Sequence, residues 1–411
     1  MGAVDVISMD ALLWSIYLLG IKDPRKDFVY LSQRTNQTAP HTDQALHEKD
    51  ESSATTKTTS GPLTYHKLLY DPIPYPTSLP SRLTWVGTLL ISLRFTNWRI
   101  SSPHHDRHQP HAPSNRHHLE FILTALLRSF TGYLLLDLSS HLISLDPYFT
   151  SPSIPLLTSP SPSPLPPLLQ PLHASPLLTL AFRASLVAIQ AWSLISQNYH
   201  LPMILPVLLH YLHLLSPTWS PHLWPPPFGP AKAMLTSGLR GFWSVYWHQV
   251  MRFVVAGPGE AVVDLVLGKG RGTRRTRFTL LTVVAFGLSG CIHMGLVPRS
   301  PRGKIGAGWI RVLAGGFFWV QPFGMVVERW GAGVVRGSVP RGWREGKAGT
   351  WAGMVAYAVW IFVWSCICFP LLGEAGRQMG WFRHYTVPWS ALHWWMDGDG
   401  WMWSCLKEKT A

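Results

Sequence analysis

Residues 278–298 read FTLLTVVAFGLSGCIHMGLVP. Twenty-one residues of this kind are long enough to cross the hydrocarbon core of a bilayer as one helix. His293 is the only strongly ionisable side chain among them, about 8 Å of helix rise from the end of the run. An ionisable group at that depth is costly, and it faces a cavity, a pathway or a partner rather than lipid. Gly287, Ser289 and Gly290 lie within two turns of it, and small residues permit close helix approach or room beside the imidazole. This stretch therefore predicts both a membrane span and a polar site inside it.

The composition agrees with a membrane protein. Of 411 residues, 47% are hydrophobic and only 14% are charged, about half the charge usual in soluble domains. The 21 tryptophans suit membrane–water boundaries. A net charge of +14 sits largely in short loops, as topology and anionic lipid select, which excludes nucleic acid as the partner. Apolar runs at 5–21, 82–97, 119–144, 176–196, 200–216, 278–298, 307–327 and 351–373 predict an all-α, multi-pass integral membrane protein with about eight transmembrane helices. The first run lacks a basic flank and carries Asp5 and Asp10, so it reads as an uncleaved span rather than a signal peptide.

Three segments between these runs are too polar or proline-rich to span. Residues 33–62 read as a disordered loop, 99–118 as a histidine-rich solvated loop without fixed metal-ligand geometry, and 151–171 as an extended proline-rich connector. The organisation expected is an N-terminal transmembrane region over 1–230, a compact core over 231–375 and an aromatic tail over 376–411. No internal repeat supports an inverted-repeat transporter. Residues 268–277 carry five Lys/Arg and 328–347 another five, which places these loops together on the cytosolic side. Cys291, Cys366 and Cys368 lie in apolar runs, and with Cys405 they make no disulfide framework or metal site.

A second stretch, GFWSVYWHQVMRFVVAGPG at 241–259, packs aromatics and cations together. As one helix it would align Arg240, Ser244, His248 and Arg252 on a face, with Trp243 and Trp247 beside them and Gly257-Pro258-Gly259 as its end. Two rival sites are weaker. HWWMDG at 393–398 has the H-x-x-x-D-G pattern of soluble acyl-CoA-dependent acyltransferases, but lies close to the end of this sequence without a DFGWG partner. Cys291 is two residues from His293, so on a helix the two side chains point about 200° apart. Arg128, Asp137 and Arg183, within the spans, are what a channel or transporter reading would lean on.

FW…WHQ…R followed by SG…H near the end of a span resembles the wax synthase branch of the membrane-bound O-acyltransferases (MBOATs), whose fungal members include acetyltransferases of terpenoid and meroterpenoid biosynthesis. The resemblance covers about residues 235–375. It implies acyl transfer, with acetyl-CoA the expected co-substrate from the resemblance rather than from any spacing, and no bound cofactor or metal. His293 matches the catalytic histidine, the general base for an acceptor hydroxyl, and His248 matches the second polar position. Arg240, Trp243, Trp247, Gln249 and Arg252 would surround the acyl-CoA. Ser244, Val245 and Tyr246 replace the family's common Gly-Arg-Arg, and Met294 replaces an acidic residue found in plant members. The implied partners are the bilayer, acyl-CoA and a lipophilic, hydroxyl-bearing small molecule, in the endoplasmic reticulum. A long-chain alcohol giving a wax ester is the alternative acceptor.

Overall fold

The computed structural model describes residues 11–33, 70–92, 95–100, 117–151, 153–298 and 305–402. Most of the loops expected at 33–62 and 99–118, the basic loop at 299–304 and Cys405 lie outside the described residues. The chain forms two compact units, one of residues 22–114 and one of residues 1–21 with 115–411.

The smaller unit carries the exception to the helical architecture. Strands β1 (Phe28–Gln33), β2 (Tyr70–Ile73) and β3 (Trp98–Ile100) form an antiparallel sheet in the order β2-β1-β3. Tyr30 stands opposite Ile73 on one side and Trp98 on the other. Alternation puts Phe28 and Tyr30 on one face, where Phe28 meets Phe95 and Trp98. Trp98 packs edge-on against Trp85 of helix α2 (Leu79–Ile91), with ring centroids 4.8 Å apart. Aromatic packing of this kind stabilises three short strands that would be marginal alone.

The larger unit begins with α1 (Ala11–Ile21). It continues with α3 (His118–Leu145), α4 (Pro176–Tyr211), α5 (Lys232–Gly241), α6 (Arg252–Leu267) and α7 (Arg274–Met294). The helices α8 (Ala307–Trp319), α9 (Gln321–Ser338), α10 (Lys347–Met379) and α11 (Ala391–Asp397) complete it. Five helical stretches among the described residues are long and apolar enough to cross a membrane: α3, α4, α7, α8 with α9, and α10. The expected count of about eight is not confirmed. The runs at 176–196 and 200–216 fuse into α4, which continues through the polar residues 197–199 between them and holds Pro202 and Pro206 inside it. Neighbouring helices in a membrane protein can satisfy the carbonyls that a proline frees. Among the described residues, the runs at 5–21 and 82–97 contribute the helices Ala11–Ile21 and Leu79–Ile91.

Buried ion pairs fix the ends of the bundle. Arg183 on α4 donates Nε and Nη2 to both oxygens of Asp146, just past α3, at 2.7 and 2.8 Å. Both side chains are almost fully buried. Arg377, in the last turn of α10, donates to the carbonyls of Ser151 and Ile154 and pairs with Glu374. The two guanidinium groups lie 4.4 and 4.3 Å from the centroid of the Tyr148 ring. They therefore tie the start of the proline-rich connector to α4 and α10. Val297, Ile310, Ala375 and Met379 pack together, which brings the end of α7 and the start of α8 to the same end of the bundle. The basic loops at 268–273 and 339–346 consequently share the opposite end, as the loop charges anticipate.

Candidate active site

The expected single helix through 241–259 is broken, and the break shapes the site. Helix α5 ends at Gly241, a π-helical turn covers Phe242–Tyr246, and His248 has φ 38° and ψ 54°, the left-handed region. A non-glycine residue adopts that conformation only where its surroundings impose it. Here the Gln249 amide donates to the Pro227 carbonyl at 2.7 Å, and the Gly229 amide donates to Tyr246 at 2.9 Å. The PPPFGP segment before α5 thus holds the turn from outside. Gly257-Pro258-Gly259 does not end a helix but lies within α6. A Cβ on Gly257 would stand 2.4 Å from the Tyr17 ring, so this glycine serves close contact with α1.

His293 lies in the last turn of α7. Its Nδ1 is 2.8 Å from the Ser289 carbonyl, one turn back. A carbonyl oxygen only accepts, so Nδ1 carries the proton and Nε2 presents its lone pair. The ring lies against Phe318 of α8, with centroids 3.9 Å apart. His248 is within electrostatic reach of His293, and burial, then this neighbour, push its pKa below the usual imidazole range. Near neutral pH His248 is therefore an uncharged imidazole beside the proposed base. The two histidines singled out in the sequence thus lie near enough for the charge of one to bear on the other.

The aromatic residues take up different positions. Trp243 packs against Phe286, Phe317 and Phe318, and so forms the wall behind the ring that contacts His293. Its indole N–H donates to Gln321 Oε1 at 3.2 Å, and Trp364 donates to the same oxygen at 3.0 Å. Gln321, buried at the junction of α8 and α9, escaped the sequence reading. Its signal is a lone amide in the apolar run 307–327. Trp247 stacks on Phe242 and touches Phe228, while the Gln249 side chain donates to the Trp247 carbonyl. Gln249 is thus engaged in holding the turn.

The two arginines separate. Arg240 lies over the Phe278 ring, 4.7 Å from its centroid, at the basic end of the bundle. Phe278 precedes His293 by fifteen residues of α7, about 22 Å of helix rise. Arg252 opens α6 on an exposed position, with Glu260 the charge near it. Charges prominent in a transporter reading have partners too. Arg183 binds Asp146, Asp137 accepts the Leu392 amide at the start of α11, and Arg128 stands 3.4 Å from His200. The rival His393 belongs to a separate cluster with Tyr385, His141 and Asp397.

Comparison with known proteins singles out the same stretch. Residues 224–311, which contain both histidines, match the membrane bound O-acyl transferase family. The chain is 32% identical over 108 residues to acetyltransferase ataH of Aspergillus terreus, covering 26% of this chain and 33% of that protein. It is 30% identical over 216 residues to acetyltransferase ple2 of Rhodocybe pseudopiperita, covering 53% of this chain and 49% of the relative. With acetyltransferase eriL of Hericium erinaceus the identity is 28% over 222 residues, with the same two shares. The aligned part thus spans between a third and a half of these curated relatives. No solved structure matches the chain. The chain thus has five helices long and apolar enough to cross a membrane, its residues 224–311 match the membrane bound O-acyl transferase family, and its aligned parts are similar to fungal acetyltransferases.

Proposed function

We propose that the protein transfers an acyl group, acetyl from acetyl-CoA, to a hydroxyl of a lipophilic small molecule, a terpenoid or meroterpenoid secondary metabolite. The observation that carries this reading is the His293 imidazole, with Nδ1–H held on Ser289 and Nε2 available, in the segment that matches the acyltransferase family. The acetyl preference rests on relatives named as acetyltransferases. The protein resides in the endoplasmic reticulum membrane in this reading, with its basic end in the cytosol.

His293 Nε2 takes the acceptor's hydroxyl proton as the oxygen attacks the thioester carbonyl carbon. The C–S bond then breaks, and the departing sulfur receives that proton from the imidazolium, giving ester and free CoA thiol. In this reading His248 orients the donor or polarises its carbonyl, which its electrostatic proximity to His293 supports. The Ser289 carbonyl stabilises the imidazolium while it lasts. Arg240 and the cations of 269–277 attract the CoA phosphates at the far end of α7, a separation suited to an elongated donor.

Microsomes containing the protein, supplied with labelled acetyl-CoA and a panel of terpenoid and long-chain alcohols, test the reading. Labelled ester should form with a terpenoid alcohol, and His293→Ala should lower the rate at least about 10²-fold, the lower end for general-base catalysis. Cys291→Ala should keep the rate, since that thiol points away from the imidazole. Full activity in the His293 variant would place the chemistry elsewhere.

A further inference from the structure

A cavity of about 600 Å³ lies outside the histidine pair, between the last turns of α3 and residues 382–402. Its size is within the range of small-molecule sites. Its apolar lining includes Ile143, Phe382, Val387 and Met402. Its polar lining includes Ser140, Ser144, Gln190, Tyr385, Thr386 and His393. Arg383 is the one Lys or Arg lining it among the described residues.

The polar lining is built by long-range contacts. Tyr133 donates to the Trp389 carbonyl, Asp137 receives the Leu392 amide, and the Ser390 amide donates to the Gly400 carbonyl. These bonds fasten α11 and its flanks onto α3. Asp397 lies 3.1 Å from His393 Nδ1, which fixes the proton there and turns Nε2 toward the Tyr385 hydroxyl at 2.5 Å. His141 Nδ1 stands 3.4 Å from that Nε2, and Ser144 Oγ stands 3.4 Å from the Tyr385 oxygen. Gln190 donates to Ser140, whose hydroxyl donates to Thr386. Hydroxyl, amide and imidazole groups thus form one connected network in the lining of a space that also has apolar side chains around it.

We propose that this cavity binds the acceptor through its hydroxyl groups, with the apolar skeleton against Phe382, Val387 and Met402; the identity of the ligand as acceptor rests on the acyl-transfer reading above. Apart from Arg383, the polar groups that the lining offers for recognition are hydroxyl, amide and imidazole. The cations suited to CoA phosphates cluster at the opposite end of the bundle. A second cavity, about 510 Å³, shares Gln190 and residues 382–386 with the first and reaches Pro298, five residues beyond His293. The pair of cavities therefore leads from the C-terminal segment toward the end of the helix that bears the base. Tyr385, Gln190 and His393 are specificity residues in this arrangement: they select acceptors that carry a second hydroxyl.

Binding is measured on the full chain carrying His293→Ala in nanodiscs, with tritiated sclareol, a diterpene diol, and geranylgeraniol, a diterpene mono-alcohol, as probes. Sclareol should bind saturably above empty nanodiscs. Tyr385→Phe and Gln190→Leu should each weaken it about tenfold, the loss of one hydrogen bond in a sheltered site, while geranylgeraniol changes less than twofold. Ser144→Trp, at an exposed position on the rim, should block sclareol without altering thermal unfolding. Equal sclareol affinity in all three variants, or no saturable binding to begin with, overturns the proposal. Because the base is absent throughout, the result is independent of turnover. Acyl transfer failing with every alcohol, while sclareol binding still follows Tyr385 and Gln190, would overturn the acyltransferase reading and leave the binding site standing.

Discussion

Gly290→Ala tests whether the α7–α8 contact positions the base. A Cβ there would stand 2.1 Å from Trp319 Nε1 and 2.9 Å from the Gly315 carbonyl oxygen. Trp319 can swing away, at the loss of its 3.3 Å bond to the Gly287 carbonyl. The Gly315 carbonyl is backbone, so relief there requires the helices to part by about 0.5 Å to reach ordinary contact distance. Overpacking of this kind costs about 1–3 kcal/mol, offset by up to about 1 kcal/mol from alanine's better helix propensity. Phe318, which stacks on His293, moves with α8. Displacements approaching 1 Å at a reacting group cost about 10² in rate, so a fall of about 10- to 100-fold is expected for half that or more. Gly287→Ala is the paired control, since its Cβ meets nothing within 4 Å. Initial rates at saturating acetyl-CoA and alcohol, with thermal unfolding in detergent, give the readout. A Gly290 variant with unchanged rate and unfolding would show that this close approach does not position His293.

Two further substitutions probe the scaffold. Gln321→Leu leaves the Trp243 and Trp364 N–H groups without their shared acceptor, at about 1–3 kcal/mol for each unsatisfied buried donor. Lower thermal stability and a changed tryptophan emission should accompany it; identical unfolding curves would deny Gln321 its place as the joint. Arg183→Met leaves the Asp146 carboxylate buried without its bidentate partner, a loss of about 3–5 kcal/mol, and adding Asp146→Asn should recover part of it. Equal denaturation midpoints for the single and double variants would contradict that coupling.

The spans were readable where an apolar run exceeded a bilayer's thickness, as in α3, α7 and α10. Local punctuation misled twice. The polar residues 197–199 divided one helix into two runs where α4 is continuous, and Gly257-Pro258-Gly259 suggested a terminus inside α6. Both readings apply soluble-helix punctuation to helices of a membrane bundle, where it carries less weight. The strands went unread because Phe28–Gln33 and Trp98–Ile100 are short, and their pairing joins residues distant in sequence.

At the site, residue type was more legible than geometry. His293 stood out because imidazole is expensive inside an apolar helix, and one turn of sequence contains the Ser289 carbonyl that orients it. His248 stood out only as a polar residue among aromatics. Its position depends on Pro227 and Gly229, twenty residues away, which impose a left-handed turn that no helical periodicity encodes. That turn has a consequence for the chemistry. A continuous helix would carry Arg240, His248 and Arg252 along one face as a single polar strip. The broken chain instead keeps His248 within electrostatic reach of His293 and leaves Arg240 over Phe278, about 22 Å of helix away. In the acyl-transfer reading proposed above, separating the cation from the imidazoles lets one end of a long donor be held by charge while its other end reacts in an apolar setting. There the neutral His293 can take a proton without a guanidinium beside it opposing the imidazolium that forms.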